Sequence, residues 1–153
     1  MDVNGNVLIR ATSLEENTIF FHGGGFSVSD AHHIPREPYF PQERHVLMIE
    51  DDPLVQFVQA ELLKQAGFTV TCASQGKSGI RQYSDAIDLI ICDIELPDML
   101  GFDVASTLRQ QGVRIPIIAC SSHAIDVSRF PMFTAAIQKP LHKSHLVSLL
   151  NRY

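Results

Sequence analysis

Glu50, Asp51 and Asp52 follow directly on the apolar run HVLMI, and Asp93 closes a second run, DLIIC. Ser121 and Ser122 follow a third, IPIIAC, and Lys139-Pro140 follows a fourth, AAIQ. In an open α/β sheet, ligands bind outside the carboxyl ends of the strands, so groups at four strand ends converge on one edge. Clustered carboxylates raise one another's pKa unless a cation neutralises them. An oxygen-only set of this kind suits Mg2+, which keeps several waters and takes one or two carboxylates with phosphate oxygens. A carboxylate beside such a metal can accept a phosphoryl group covalently. Asp52 stands apart. With Pro53 it forms the favoured N-cap and N1 pair, so it is assigned to capping a helix, which leaves Glu50 and Asp51 to face Asp93.

The elements that must position these groups alternate along the chain. Residues 45–50, 68–73, 88–93, 115–120 and 135–138 read as strands, and three of them are near-continuous apolar runs, as in parallel strands covered on both faces. The segment 53–67 has apolar residues at 54, 55, 58, 62 and 63 and ends at Gly67, the pattern of an amphipathic helix with a glycine stop. Further helices are predicted over 75–84, 101–111 and 143–152. The helical slot after Ser122 is weak and is interrupted by Pro131. Such alternation predicts an α/β fold, a doubly wound parallel sheet with right-handed crossovers.

Residues 1–44 read as a separate extension. The runs VLI and TIFF are separated by SLEEN, which allows a loose hairpin or a short helix over 13–17. The stretch 23–44, with three consecutive glycines and three prolines, reads as linker. The domain proper is assigned to 45–153.

Composition narrows the function. The 153 residues are 45% apolar with a formal net charge of −5, which argues against electrostatic binding of nucleic acid. No apolar run reaches membrane-spanning length, and the N-terminus lacks a secretory signal pattern, so the reading is soluble and cytoplasmic. Cys72, Cys92 and Cys120 have no CxxC spacing and read as buried structural thiols.

The segments VLMIEDDP, DLIICDIELPDMLGFDV, IPIIACSS and AAIQKPL resemble, in order, the four signature segments of the response-regulator receiver family. The resemblance covers essentially all of 45–153. It implies a flavodoxin-like, five-stranded sheet of order 2-1-3-4-5. It also implies that Asp93 is the phosphoacceptor, Asp51 a direct Mg2+ ligand, Glu50 a ligand through water, and the Glu95 backbone carbonyl a further ligand. Ser121 matches the hydroxyl that bonds the phosphoryl group, Lys139 the ammonium that pairs with it, and Lys139-Pro140 the cis peptide usual in the family. The donor would be a histidine kinase or a histidine phosphotransfer protein. Glu95 and His123 match the positions that tune the lifetime of the phosphorylated state, and a Glu95–His123 contact would partly close the path of the hydrolytic water.

The sequence also departs from the family. Ala136 stands where the switch aromatic, Tyr or Phe, usually lies; Phe130 or Phe133 could replace it, although core packing suits both. Eighteen positions separate Ser121 from Lys139, about one helical turn fewer than the family implies, so the fourth helix is expected to be short or irregular. That region is the family's usual output and dimerisation face, and the output partner and homodimerisation stay open. Leu100 replaces the acidic or polar residue common before the glycine of the loop after the acceptor. After Tyr153 no room is expected for a DNA-binding effector, leaving a stand-alone receiver or a piece of a hybrid kinase. A phosphohydrolase is the enzyme alternative, but Asp93-Ile94-Glu95 lacks the second Asp of DxD chemistry, so no multiple-turnover enzyme is expected. The remaining alternative is an interaction module whose acceptor is silent. His142 and His145 lack a third metal ligand nearby in sequence and read as a solvated helix face.

Overall fold

The computed structural model describes residues 43–153, together with the backbone strands β1 (Val7–Arg10) and β2 (Thr18–Phe21). The chain divides into two units, Met1–Gln42 and Glu43–Tyr153. In the first, β1 and β2 pair antiparallel in the register Val7↔Phe21 to Arg10↔Thr18, the hairpin alternative for VLI and TIFF. The SLEEN segment and residues 23–42 of the linker lie outside the described residues.

The second unit is built on β3 (His45–Ile49), β4 (Thr69–Ala73), β5 (Leu89–Asp93), β6 (Ile117–Ser121) and β7 (Ala135–Gln138). All pair parallel in the order β4-β3-β5-β6-β7, which is 2-1-3-4-5 within this unit. Every residue of β5 and β6 is buried, and these central strands are the continuous apolar runs of the sequence. Alternating side chains make two cores. Leu47, Ile49, Ile90, Cys92, Ile117 and Ala119 pack on one face with Val104 and Leu108. Val46, Met48, Leu89, Ile91, Ile118 and Cys120 pack on the other with Leu63, Leu146 and Leu150.

Four helices connect and cover the strands: α1 (Pro53–Gln65), α2 (Gly76–Gln82), α3 (Gly101–Gln110) and α4 (Lys143–Leu150). Asp52 caps α1, its Oδ1 accepting from Leu54 N at 2.9 Å and Val55 N at 3.0 Å. The helix ends before Gly67, which takes φ +92°, while Phe68 N bonds the Leu63 carbonyl and Gly67 N the Lys64 carbonyl. This paired-bond stop satisfies the last carbonyls and accounts for the two residues by which α1 falls short of 53–67. β6 starts at Ile117 rather than 115, since Pro116 has no N–H and the Ile115 carbonyl is taken by Arg109 Nη1 at 2.8 Å.

Between β6 and β7 the expected fourth helix is reduced to one 3-10 turn, Val127–Arg129. Asp126 caps it, accepting from Ser128 N at 3.0 Å and Ser128 Oγ at 2.6 Å. Phe130 and Phe133 stack on Phe102 of α3, with centroids 4.5 Å and 5.8 Å away, so core packing occupies both rings. Ala136 is half-buried against the same cluster.

Candidate functional site

Glu50 follows β3, Asp93 ends β5, Ser121 ends β6 and Lys139 follows β7, so the parallel order alone brings them to one sheet edge. Glu50, Asp51 and Asp93 each offer a carboxylate oxygen, and these oxygens lie within 4.8 Å of one another. Glu50 and Asp93 are buried, at 2% and 6% exposure, whereas Asp51 faces solvent. Lys139 Nζ reaches into the cluster and donates to Glu50 Oε2 at 2.7 Å and to Asp93 Oδ2 at 3.1 Å. One ammonium thus pairs with two buried carboxylates, and no buried side-chain polar atom among the described residues lacks a partner.

The electrostatics follow from that burial. Desolvation raises the pKa of Glu50; the Lys139 hydrogen bond and the Asp52 N–H pull it back, while the Asp93 charge adds to the rise. For Lys139, burial alone would lower the pKa, but the bonds to Glu50 and Asp93 more than reverse this and raise it, so the ammonium stays charged. The exposed carboxylate, Asp51, completes an oxygen-only donor set open to solvent on one side, which fits a hard divalent cation such as Mg2+. The neighbouring thiols are not part of this chemistry: burial pushes Cys120 up to about 12 and raises Cys92 further.

The loop after Asp93 is tightly held. Glu95 N donates to Asp93 Oδ1 at 3.2 Å, a Glu95–Leu100 bridge closes the turn, and Gly101 N bonds the Ile94 carbonyl at 2.7 Å. A Cβ on Gly101 would collide with the Asp93 carbonyl, so only glycine lets α3 begin this close to the strand end. Ser121 is buried at the end of β6, where its Oγ accepts from His123 N at 3.1 Å. The Lys139-Pro140 peptide is cis.

The contact envisaged between Glu95 and His123 does not take the form of a hydrogen bond or an ion pair among the described residues. Both side chains are exposed, and their backbone N–H groups serve Asp93 and Ser121 instead. His142 and His145 meet edge-to-face with centroids 5.9 Å apart, and no third ligand gathers with them among the described residues.

Three supporting residues escaped the sequence reading. Gln56 Nε2 donates to the Glu50 carbonyl at 2.9 Å and to the Ala73 carbonyl at 3.2 Å, pinning the ends of β3 and β4. Asp98, in the loop after the acceptor, accepts from Gly76 N at 2.8 Å and Lys77 N at 2.9 Å and so caps α2 from outside that helix. These backbone N–H groups hold its carboxyl below the usual range. Arg109 gathers the carbonyls of Met132, Val113 and Ile115, tying α3 to the segments that flank β6. The Asp within LPDML was the one signal available beforehand, since Asp favours capping and turn positions.

The sequence and the fold are similar to those of known proteins. The family model for the response regulator receiver domain matches residues 46–151. The cell cycle transcriptional regulator CtrA of Caulobacter vibrioides is 32% identical over 113 residues, 69% of this chain and 48% of CtrA. The sensor protein TorS of Escherichia coli is 31% identical over 114 residues, 71% of this chain but 12% of TorS. The chain therefore spans less than half the length of these curated relatives. Among solved structures, response regulator protein TrrA from Thermotoga maritima, in complex with Mg2+ and BeF, superposes with a TM-score of 0.66 at 22% identity, covering 71% of this chain and 97% of TrrA.

Proposed function

Because this chain belongs to the response-regulator receiver family, we propose that Asp93 accepts a phosphoryl group from a phosphohistidine donor in a Mg2+-dependent reaction and thereby changes a surface that a partner reads. The observation that carries this reading is Lys139, whose ammonium is bound at once to Glu50 and to Asp93 beside the open carboxylate Asp51. In the transfer, an Asp93 carboxylate oxygen forms a bond to phosphorus as the N–P bond of the donor breaks, and the imidazole nitrogen leaves with the electron pair. Lys139 has three N–H donors and spends two on carboxylates, so one is available to a phosphoryl oxygen. Ser121 supplies a hydroxyl from the neighbouring strand. Asp51, Asp93 and the Glu95 carbonyl would hold Mg2+, with Glu50 acting through water, and the metal would offset the charge on the incoming group.

The donor would be a histidine kinase or a histidine phosphotransfer protein, in keeping with the likeness to the sensor protein TorS. Leu54, Phe57 and Val58 form an exposed apolar face on the first two turns of α1, next to the acidic cluster, and suit a helical donor surface. Among the described residues no helix is long and apolar enough to cross a membrane, and a cytoplasmic setting fits such a donor. Turnover would be limited to self-phosphorylation and slow loss of the phosphoryl group, without multiple-turnover hydrolysis.

Ala136 and the single 3-10 turn favour one second reading, a receiver-like interaction module that is silent to phosphorylation. Beryllofluoride with Mg2+, a phosphoryl mimic, separates the two. Saturable binding that disappears in Asp93→Asn supports the acceptor reading. No binding by the unaltered chain supports the silent module.

A further inference from the structure

Among the described residues β7 is the last strand of the sheet, and its outer edge has no strand partner there. Lys139 N bonds the Ser121 carbonyl, and by the alternation of a parallel ladder Ala136 and Gln138 turn their backbone N–H and C=O groups toward that free edge. Between β7, the turn that follows it and α4, a groove of about 470 Å³ runs along the strand. His142 and His145 line it, with Arg152 beyond the end of α4, and among the described residues no Asp or Glu does. The wall therefore joins an apolar floor of Ile137, Leu141 and Leu149 to a set of donors: a guanidinium, two imidazoles and the outward N–H groups of the strand edge.

We infer that this groove takes an acidic, extended segment of a partner protein, which adds as a strand to the free edge of β7 and sets its carboxylates against Arg152, His142 and His145. Edge N–H and C=O groups are satisfied by another extended chain, whereas a docked helix, with its backbone groups bonded internally, leaves them unpaired. The absence of acidic lining selects carboxylate side chains, since like charges across an interface are costly. The groove also reaches Lys139 and Pro140, so the bound segment lies against the residues that lead into the acidic cluster. The inference names the partner class for the output surface and rests on the receiver reading for that use alone; the binding itself requires no phosphoryl group.

The test is fluorescence anisotropy with a short labelled peptide that alternates glutamate and valine. A lysine–valine counterpart and the acidic peptide N-methylated at alternate amides serve as controls. The acidic peptide is expected to bind about tenfold or more tightly than either control. Charge reversal at the exposed positions, His145→Glu with Arg152→Glu, is expected to weaken it by at least about tenfold while leaving the circular dichroism spectrum unchanged. Asp93→Asn should bind the peptide as the unaltered chain does even where it fails to take beryllofluoride, so loss of the acceptor reading and loss of the groove are told apart. Equal binding of acidic and basic peptides, undiminished binding of the N-methylated peptide or of the charge-reversed chain, or no binding at all overturns the inference.

Discussion

Replacing Lys139 by methionine keeps the length of the side chain and removes its charge. Glu50 is then left buried, at 2% exposure, facing Asp93 with no counter-ion. Breaking a fully buried ion pair by removing one partner costs about 3–5 kcal/mol. The Lys139 side chain keeps 20% exposure, so water can partly take its place and a loss of about 2–3 kcal/mol is expected at neutral pH. For a domain of this size that is on the order of 10 °C in melting temperature. The loss depends on pH. A carboxyl whose folded pKa is raised stabilises the fold below its unfolded value and loses that contribution as pH rises through the folded value. Lys139 holds the Glu50 pKa down, so the variant's Glu50 rises further, and the deficit relative to the unaltered chain is largest near pH 7.5 and shrinks toward pH 5. Urea denaturation of both chains at the two pH values measures this. A deficit that is absent, or equal at both pH values, refutes the claim that Lys139 neutralises Glu50.

Other expectations concern the elements around the cluster. Adding Mg2+ at pH 7.5 should raise the melting temperature, and Asp51→Asn should remove most of that rise, because binding to the folded state alone stabilises it by about 2.7 kcal/mol at a hundredfold excess over the dissociation constant. Asp52→Ala removes two hydrogen bonds to the first turn of α1 and should cost about 1 kcal/mol in urea denaturation, with no loss of beryllofluoride binding. Leu108→Ala opens a void in a fully buried position and should cost about 2–5 kcal/mol by the same measurement.

Local chemistry made the acceptor edge legible. Asp93, Lys139 and Glu50 sit where apolar runs stop, and a parallel sheet turns that sequence coincidence into proximity. The Asp52-Pro53 start of α1 and the stop at Gly67 were readable for the same reason, since each is a backbone requirement met by neighbouring residues. What could not be read depends on distance in space. Gln56 bonds a carbonyl seventeen positions away, Asp98 caps a helix twenty-two positions earlier, and Arg109 reaches Met132. Nothing in the residue types announces such partners. The weak slot before β7 was legible as irregular, but its form as one 3-10 turn under the Phe102–Phe130 stack follows from packing. Glu95 and His123 show the opposite case, a pairing that family position suggested and that no hydrogen bond or ion pair joins among the described residues.

The central claim is that Asp93 is the group that takes the phosphoryl. Its most direct measurement is intact-mass and peptide-mapping mass spectrometry after incubation with phosphoramidate and Mg2+. A single phosphoryl adduct is expected that maps to Asp93, requires Mg2+ and is absent from Asp93→Asn. An adduct of the same yield on Asp93→Asn, or none on the unaltered chain when a known receiver is labelled alongside it, would contradict that claim.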